Sequence, residues 1–322
     1  MDREITIRQA INEALAEEMR RDEHVLLLGE DVSEYEGAYK VSKGLLAEFG
    51  PMRVLDTPIS EAGFAGLGIG AAYKNLRPVV EFMTWNFGMQ ALDQIGNAAS
   101  KIYYMSGGSI QCPIVFRGPN GPAARVAATH SQCLMSIFAT LSGVKIVAPS
   151  TAYNYKGLLK ASIRDNDTVL FFESEVAYNT KGAVGTDDYI VPLGQGRIAK
   201  TGNKLTVITF GRMVEEVIKA CSDLDDIEII DLQTIKPFDQ NIITQSVSKT
   251  HKVLCVEEGL PFASISSELI NFITQNLWHM LDAKPESLSG LDIPMPYAAN
   301  LEQLACPKHD QIRAKIIDML NA

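Results

Sequence analysis

Residues 144–174 hold three consecutive segments, VKIVAPS (144–150), AYNYKGLLKASIRD (152–165) and TVLFFES (168–174). The first and third are short runs dominated by apolar residues, whereas the middle one has the length and composition of a helix. Strands without a polar face are typical of parallel sheets, because helices cover such a sheet on both sides. This strand–helix–strand unit therefore predicts an α/β fold with a mainly parallel sheet.

The same alternation continues toward the amino terminus. Further strands are predicted at three short apolar runs, HVLLLG (24–29), RPVVEFM (77–83) and CPIVFRG (112–118). The segment NFGMQALDQIGNAASKIYYM (86–105) is predicted to be helical. Near the start of the chain, Ile7, Ile11 and Leu15 recur every four residues, which indicates the buried face of an amphipathic helix.

The composition changes between the two halves of the chain. Residues 178–204 are rich in Gly, Asp and Lys and poor in helix signal, with one short extended piece predicted at DYIVPLG (188–194). After this stretch the alternation of apolar runs and helical segments resumes. We therefore predict two domains with mainly parallel sheets flanked by helices, over residues 1–180 and 203–322, joined by a linker over 181–202.

Charge and composition exclude several classes of function. The 322 residues carry a formal net charge of −10, which argues against a nucleic acid partner because phosphate binding favours a basic surface. The sequence has no apolar run near the roughly 20 residues needed to cross a bilayer, and its start lacks secretory or transit character. The 5 cysteines are scattered, which argues against a disulfide framework. We expect a reduced compartment, either a bacterial cytoplasm or the interior of an organelle.

Functional groups are expected where the predicted strands end, since open parallel sheets place their sites beyond the carboxyl ends of the strands. Glu30, Glu81 and Arg117 stand at or just after such ends. The run GFAGLGIGAA (63–72) has the spaced glycines of a dinucleotide-binding loop, but no clean strand precedes it and it fits a closely packed helix better. The sequence has no Walker loop, no histidine pair with zinc-ligand spacing and no Gly-x-Ser-x-Gly motif.

Glu61 is the carboxylate with the most unusual neighbours. It lies in TPISEAGFAG (57–66), a row of small and apolar residues. An ionised carboxylate in apolar surroundings costs free energy unless it is paired. Glu61 could lie in the exposed first turn of a helix capped by Ser60, where the helix dipole favours an acid, or it could cap a loop. The remaining interpretation is a functional acid that is shielded from water.

Several long stretches carry a resemblance that covers nearly the whole chain. They are DTPISEAGFAGLGIGAA (56–72), RPVVEFMTWNFGMQALDQIGNAASKIYYMSGG (77–108), PIVFRGPNGPAARVAATHSQ (113–132), KGLLKASIRDNDTVLFFES (156–174) and DIPMPYAANLE (292–302). The chain resembles the beta subunits of the pyruvate dehydrogenase decarboxylase component, in the thiamine-diphosphate-dependent 2-oxo acid dehydrogenase family related to transketolase. The resemblance implies a transketolase-type pyrimidine-binding domain followed by a transketolase C-terminal domain.

The resemblance also implies a divided catalytic site. Family members hold Mg²⁺ and the cofactor diphosphate with a Gly-Asp-Gly segment, which this sequence lacks and which the family carries on a separate alpha subunit. The implied assembly is a heterotetramer of two alpha and two beta subunits, docked on a dihydrolipoyl acetyltransferase core. The implied reaction is oxidative decarboxylation of pyruvate with reductive acetylation of a lipoyl group. A branched-chain 2-oxo acid or acetoin dehydrogenase, a non-catalytic scaffold subunit and an independent transketolase-like enzyme are the alternatives.

Site residues follow from the same resemblance. The glutamate matching Glu61 hydrogen-bonds a ring nitrogen of the cofactor's aminopyrimidine. Met83 and Phe87 match residues that contact that ring, Ile59 matches one that lines the pocket mainly through its backbone, and Glu30 matches an acid near the cofactor. Ordinary core packing is the alternative for Met83 and Phe87. A strand-end surface acid is the alternative for Glu30.

Two further features of the family are implied. His130, in ATHSQ, matches a histidine implicated in steps with the substrate or the lipoyl group, and a structural histidine is its alternative. A potassium site built mostly from backbone carbonyls is implied at Ile114, Ser162, Ile163, Asp165 and Asp167. Ser162 and Asp167 stand where family members often have a small apolar residue and an asparagine. An ordinary turn at RDND is the alternative, since this composition favours turns.

Overall fold

The structure, a computed structural model, describes residues 3–321 and separates the chain into two compact units. The first unit runs as far as Asn120 and adds Ile137–Leu193. The second consists of Gly121–Ser136 and the residues from Gly194 onward. The domain boundaries expected from the sequence, at 180 and 203, stay a prediction.

Most of the first unit is a parallel sheet with helices packed on it. Its strands are β1 (Arg3–Thr6), β2 (Val25–Gly29), β3 (Val54–Asp56), β4 (Arg77–Glu81), β5 (Val115–Pro119), β6 (Val144–Val147), β7 (Thr168–Glu173) and β8 (Lys181–Val184). Helices along this part of the chain are α1 (Ile7–Arg21), α2 (Leu45–Phe49), α3 (Glu61–Ala72), α4 (Trp85–Gly88), α5 (Ser100–Met105), α6 (Met135–Ala139) and α7 (Ala152–Arg164).

Six strands of the first unit lie in the order β6-β7-β5-β4-β2-β3, and these six run parallel to one another. In this register Glu81 is the neighbour of Gly29 on one side and of Arg117 on the other. β1 and β8 form a separate antiparallel pair. The parallel register brings the carboxyl ends of β2, β4, β5 and β7 to one edge of the sheet.

Helix α1 confirms the amphipathic pattern read at the start of the chain. Thr6 and Gln9 form a reciprocal capping box at its start, which satisfies backbone donors that a helix leaves free. Ile7, Ile11 and Leu15 are buried, so the apolar face of α1 belongs to the core of the first unit. Residues of α7, including Leu158, pack in the same core.

The segment 86–105, predicted as one helix, is a chain of short pieces. α4 is followed by a 3₁₀ turn at Met89–Ala91, a π-helical stretch at Gln94–Ala99 and then α5. The Ser100 hydroxyl donates to the carbonyl of Gly96 at 2.8 Å. Such a side-chain hydrogen bond competes with the regular backbone hydrogen bonds of an α-helix. No strand lies in the extended piece predicted at 188–194, whereas β8 lies within the stretch expected as a linker.

The second unit is a smaller α/β layer. Its strands are β9 (Arg197–Lys200), β10 (Leu205–Thr209), β11 (Ile227–Asp231), β12 (Thr234–Lys236), β13 (Val253–Val256) and β14 (Glu286–Leu288). Its helices are α8 (Met213–Ala220), α9 (Gln240–Thr250), α10 (Ile265–Leu277), α11 (Ala299–Ala305) and α12 (His309–Asn321). The sheet order is β14-β13-β10-β11-β9, parallel except for β9. Both units thus confirm the predicted class, mainly parallel sheets flanked by helices.

None of the helices in residues 3–321 combines the length and the apolar character that a bilayer crossing requires.

Gly68 shows why the glycine-spaced run forms a packing helix. A Cβ at Gly68 would lie 2.8 Å from Cγ2 of Val80 and 3.2 Å from Cδ1 of Ile114, so α3 contacts the sheet through this bare backbone. We expect Gly68→Ala to lower the free energy of unfolding by about 1–3 kcal/mol, because the added methyl overpacks the interface. Urea denaturation measures this loss.

Gly70→Ala on the same helix is the matched control. Gly70 is exposed and an added Cβ would meet no heavy atom within 4 Å. Alanine there is expected to leave stability unchanged or to raise it by up to about 1 kcal/mol through helix propensity. Equal losses in the two variants would contradict close packing as the reason for Gly68.

Candidate active site

Glu61 and Glu30 form a buried pair of carboxyl groups. Glu61 is the first residue of α3 and only 3% of its surface is exposed, and Glu30, directly after β2, is 6% exposed. The exposed first-turn interpretation of Glu61 is therefore wrong, and so is the surface-acid interpretation of Glu30. Ser60 occupies the position before α3 but makes no side-chain capping hydrogen bond.

The electrostatics of this pair favour a retained proton. Burial, followed by the charge and hydrogen bond of the Glu61 carboxyl, raises the pKa of Glu30 to about 7. The Oε1 atom of Glu30 is buried and has no hydrogen-bond partner among residues 3–321. Glu30 therefore gains or loses its proton near neutral pH, and its unpartnered oxygen is left for a group that completes the site.

Glu30 should make stability depend on pH. Its pKa is raised on folding from an unfolded value of about 4.3, so the folded state binds the proton more tightly. The stabilisation is fully present below about pH 4 and is lost as pH rises toward 7. We expect Glu30→Gln to flatten the fall in melting temperature between pH 5 and pH 8. Thermal unfolding across this range tests it, with exposed Glu23→Gln as control, and a variant with the wild-type slope would contradict it.

The segment after β4 presents side chains at two levels of burial. Phe82 is fully buried, with its ring 5.7 Å from that of Phe64 on α3 and 5.8 Å from that of Phe116. Met83 and Phe87 are half-buried. Ordinary core packing therefore describes Phe82, while Met83 and Phe87 keep surface that another group can contact.

Ile59 is placed differently from the other predicted pocket residues. It precedes α3 by two positions and its side chain is 85% exposed. The backbone contribution implied for Ile59 stays a prediction.

Arg117 joins two acids at the carboxyl edge of the sheet. It is fully buried and donates to Glu173 through Nε at 2.5 Å and Nη2 at 2.6 Å, and through Nη1 it also donates to Glu81. Burial by itself would lower the pKa of Arg117, but the two carboxylates raise it above its usual value. Burial raises the pKa of Glu81, against the opposing charge of Arg117.

Two members of this buried cluster escaped the sequence analysis. Glu173 ends β7, and the Tyr178 hydroxyl donates to it at 2.6 Å. Glu173 could have been noticed as the acid that follows the apolar residues of TVLFFES, because Glu81 holds the same position at the end of β4. The sequence named Glu81 and Arg117 as strand-end residues but could not indicate that they share a charge network.

His130 lies in the second unit, on the loop within Gly121–Ser136. It is exposed, and its Nδ1 lies 2.9 Å from the Thr129 hydroxyl. This exposure places His130 outside the apolar core, and both its implied role and the structural alternative stay predictions.

The residues proposed to hold potassium gather at the amino ends of the strands. Ile114 directly precedes β5, and Asp165 and Asp167 lie just before β7. Because the strands are parallel, this corner lies at the sheet edge opposite to Glu30. The structure therefore separates the proposed ion site from the carboxyl pair.

Two cations that the sequence analysis missed lie at this corner. Arg77 donates through Nη1 to the carbonyls of Ile163 at 3.0 Å and of Asp165 at 2.8 Å. The Lys145 ammonium lies 2.7 Å from the Asp165 carboxylate and 3.0 Å from that of Asp167. Ser162 uses its hydroxyl within α7. Within residues 3–321, no group of three or more His, Cys, Asp and Glu side chains is arranged to hold a metal ion.

Comparison with known families defines the class of protein. The profile of the transketolase pyrimidine-binding domain matches residues 3–181, and that of the transketolase C-terminal domain matches residues 194–312. A solved structure of a split-gene transketolase, described as an inactive beta4 tetramer, superposes with a TM-score of 0.80 at 18% identity and covers 98% of both chains. The chain therefore has the two-domain fold of transketolase-type proteins.

Curated relatives identify the family more narrowly. The pyruvate dehydrogenase E1 component subunit beta of Rhizobium meliloti is 50% identical over 99% of this chain and 69% of its own length. The subunit of that name from Rickettsia conorii is 48% identical over 96% of both chains. The mitochondrial beta-1 subunit of Oryza sativa is 48% identical over 96% of this chain and 85% of its own. The chain belongs to the family of pyruvate dehydrogenase E1 component beta subunits, which confirms the resemblance read from its motifs.

Proposed function

We propose that this chain, together with an alpha subunit, catalyses thiamine-diphosphate-dependent oxidative decarboxylation of pyruvate and reductive acetylation of a lipoyl group. The observation that carries the proposal is the buried Glu30–Glu61 pair, in a chain that belongs to the E1 beta family. The absence of a Gly-Asp-Gly segment supports a divided site, with Mg²⁺ and the diphosphate held by the alpha subunit. A reduced compartment, the cytoplasm of a bacterium or an organelle interior, suits a chain with buried free thiols at Cys112 and Cys255.

The carboxyl pair suits the aminopyrimidine of thiamine diphosphate. Glu30 leaves a buried oxygen without a partner among the described residues, as a site completed by another group would. In our proposal Glu61 accepts or returns a proton at a ring nitrogen, and Glu30, with a pKa of about 7, buffers that exchange. Burial excludes water from the exchange. When bound, the cofactor supplies the carbon nucleophile and the electron sink for decarboxylation.

Three other residues of the first unit complete the proposed cofactor pocket. The thioether of Met83 and the ring of Phe87 suit the faces of a flat heterocycle, and Ile59 offers backbone groups to the same pocket. His130, exposed on its loop, is proposed to donate to the keto oxygen of the substrate or to pass a proton to the lipoyl dithiolane.

The partners follow from the divided site. We propose a heterotetramer of two alpha and two beta subunits that docks on a dihydrolipoyl acetyltransferase core. The test is to purify this chain with a candidate alpha subunit and to assay carbon dioxide release and lipoyl-domain acetylation. We expect activity with pyruvate only when both subunits are present.

Other outcomes of that experiment favour the alternatives. Preference for a branched-chain 2-oxo acid or for acetoin would overturn the substrate assignment. Assembly without activity would favour a scaffold subunit. Tight Mg²⁺-dependent binding of thiamine diphosphate by this chain alone would contradict the divided site.

We also propose that a potassium ion stabilises the corner formed by the carbonyls of Ile114, Ser162, Ile163, Asp165 and Asp167. A carbonyl oxygen has two lone pairs, so those that accept from Arg77 still have one to offer to an ion. We expect a higher melting temperature in KCl than in NaCl at equal ionic strength. Equal melting temperatures would contradict the potassium site.

A further inference from the structure

The loop that carries His130 is closed at its base and strained along its length. The Gly121 amide donates to the carbonyl of Gln132 at 3.0 Å, which brings the two ends of the loop together. Between them, Arg125 and Ala127 have φ of 60° and 63°, in the left-handed region that residues with a Cβ rarely adopt. Such a conformation persists only where the surroundings hold it.

The base of the loop rests on the turn that follows β13. Glu258 lies so close to Gly121 that an added Cβ would be 2.6 Å from Oε1 of its carboxylate. Gly121 itself has φ of +78°. At the other end of the loop, the Cys133 thiol lies 3.6 Å from the position of a Cβ on Gly259. Gly121 at one end of the loop and Cys133, directly after its other end, therefore both lie beside the two-residue turn Glu258–Gly259.

Arg212 fixes the carboxylate that the loop rests on. It stands between β10 and α8, and its side chain is 9% exposed while that of Glu258 is 11% exposed. The Nε of Arg212 donates to Oε2 of Glu258. Its Nη2 is also buried and has no hydrogen-bond partner in the part of the chain that is described.

This arrangement is poorly explained by stability alone. A buried ion pair contributes little net stability compared with apolar side chains of the same size, and an unpaired buried donor costs free energy. What a desolvated, charge-assisted ion pair does provide is a fixed position for its carboxylate. Glu216 and Cys306 are the other titratable groups that act on the Arg212 guanidinium. The Cys306 thiol donates to the backbone carbonyl of Glu258 at 3.7 Å.

We propose that the Arg212–Glu258 ion pair positions the loop Gly121–Gln132 and thereby His130. Arg212 and Glu258 are positioning residues, since they act through the loop and not on the substrate. The part of this inference that concerns catalysis rests on the proposed function, because it assumes that His130 serves acetyl transfer to the lipoyl group. The structural part, the placement of the loop, stands independently of it.

The first experiment measures the loop itself in the full chain. Arg125 is exposed near the middle of the loop, so trypsin cleavage after Arg125 reports how firmly the loop is held. We expect Glu258→Gln to raise the rate of this cleavage about tenfold, because a neutral amide loses the charge that Arg212 holds. Asp223→Asn, which breaks the surface ion pair of Arg313 in the same unit, is the matched control and should leave cleavage unchanged. Wild-type cleavage in Glu258→Gln would overturn the proposal.

The second experiment separates positioning from general loss of structure. In the complex with an alpha subunit, Glu258→Gln and Arg212→Gln should lower kcat for lipoyl-domain acetylation at least tenfold more than the rate of pyruvate decarboxylation. Arg212→Lys, which keeps the charge, should recover part of the acetylation rate. Equal losses in both rates would show a merely structural role and overturn the catalytic part.

Failure of the proposed function is recognised separately. An inactive wild-type complex, or normal acetylation by His130→Ala, would reject the assumed role of His130 while the cleavage result still decides whether the ion pair holds the loop.

Discussion

Glu61→Gln is expected to lower pyruvate turnover by the reconstituted complex at least about 100-fold while assembly with the alpha subunit is retained. Glutamine keeps the size of the side chain but cannot exchange a proton, and positioned acid–base catalysis typically contributes about 10²–10⁴-fold. Glu61 is buried at the start of α3 beside Glu30, so no water replaces it readily. Steady-state decarboxylation kinetics and gel filtration of the complex measure the two effects.

The form of the loss is as informative as its size. We expect kcat to fall more than KM rises, because the proton exchange is needed in the reaction and not for binding pyruvate. Glu23→Gln on the surface should match the wild type. Activity near the wild-type level in Glu61→Gln would remove the carboxyl pair from the mechanism and favour the scaffold alternative.

Arg117→Met is expected to lower the free energy of unfolding by about 3–5 kcal/mol. Methionine fills part of the space but leaves Glu81 and Glu173 buried without the cation that pairs both of them. Removing one partner of a buried ion pair is strongly destabilising for this reason. Urea denaturation followed by circular dichroism measures the loss.

A charge-balanced variant controls for lost packing at Arg117. Adding Glu81→Gln and Glu173→Gln to Arg117→Met removes both uncompensated charges, so stability should partly return. If the triple variant is no more stable than the single one, packing of the Arg117 side chain, and not charge, is the cause.

Local sequence patterns predicted those strands and helices whose burial follows directly from the spacing of their own apolar residues. The apolar runs at β2, β4, β5, β6 and β7 and the spacing of Ile7, Ile11 and Leu15 sufficed for strands and α1. The break of 86–105 was not predictable in this way. Within this segment Gly96 packs close to Leu141, where an added Cβ would lie 3.1 Å away, and only the tertiary fold brings Leu141 there.

In the candidate site, too, local sequence patterns indicated single residues, whereas the contacts between them depend on the tertiary fold. Glu61 was identified by its small and apolar neighbours, and Glu30 by its place at the end of a predicted strand. Their contact depends on the tertiary fold, which brings the start of α3 next to the end of β2. Arg117 and Glu173 are 56 positions apart and meet because β5 and β7 are neighbours, an order that no short motif encodes. Arg77 and Lys145 were missed at the corner where a potassium site is proposed, because a basic side chain beside backbone carbonyls has no sequence signature.

The path of the chain through the two units has a consequence for making fragments of this protein. Gly121–Ser136 belongs to the second unit although residues of the first unit precede and follow it. A truncated gene ending at Leu193 would encode the His130 loop without the Glu258–Gly259 turn beneath it, and one starting at Gly194 would encode the turn without the loop. The amino-terminal fragment would carry the whole first unit plus a stranded segment of the second, and the carboxyl-terminal fragment would lack that segment. The second unit should therefore be complete only when the two fragments are co-expressed.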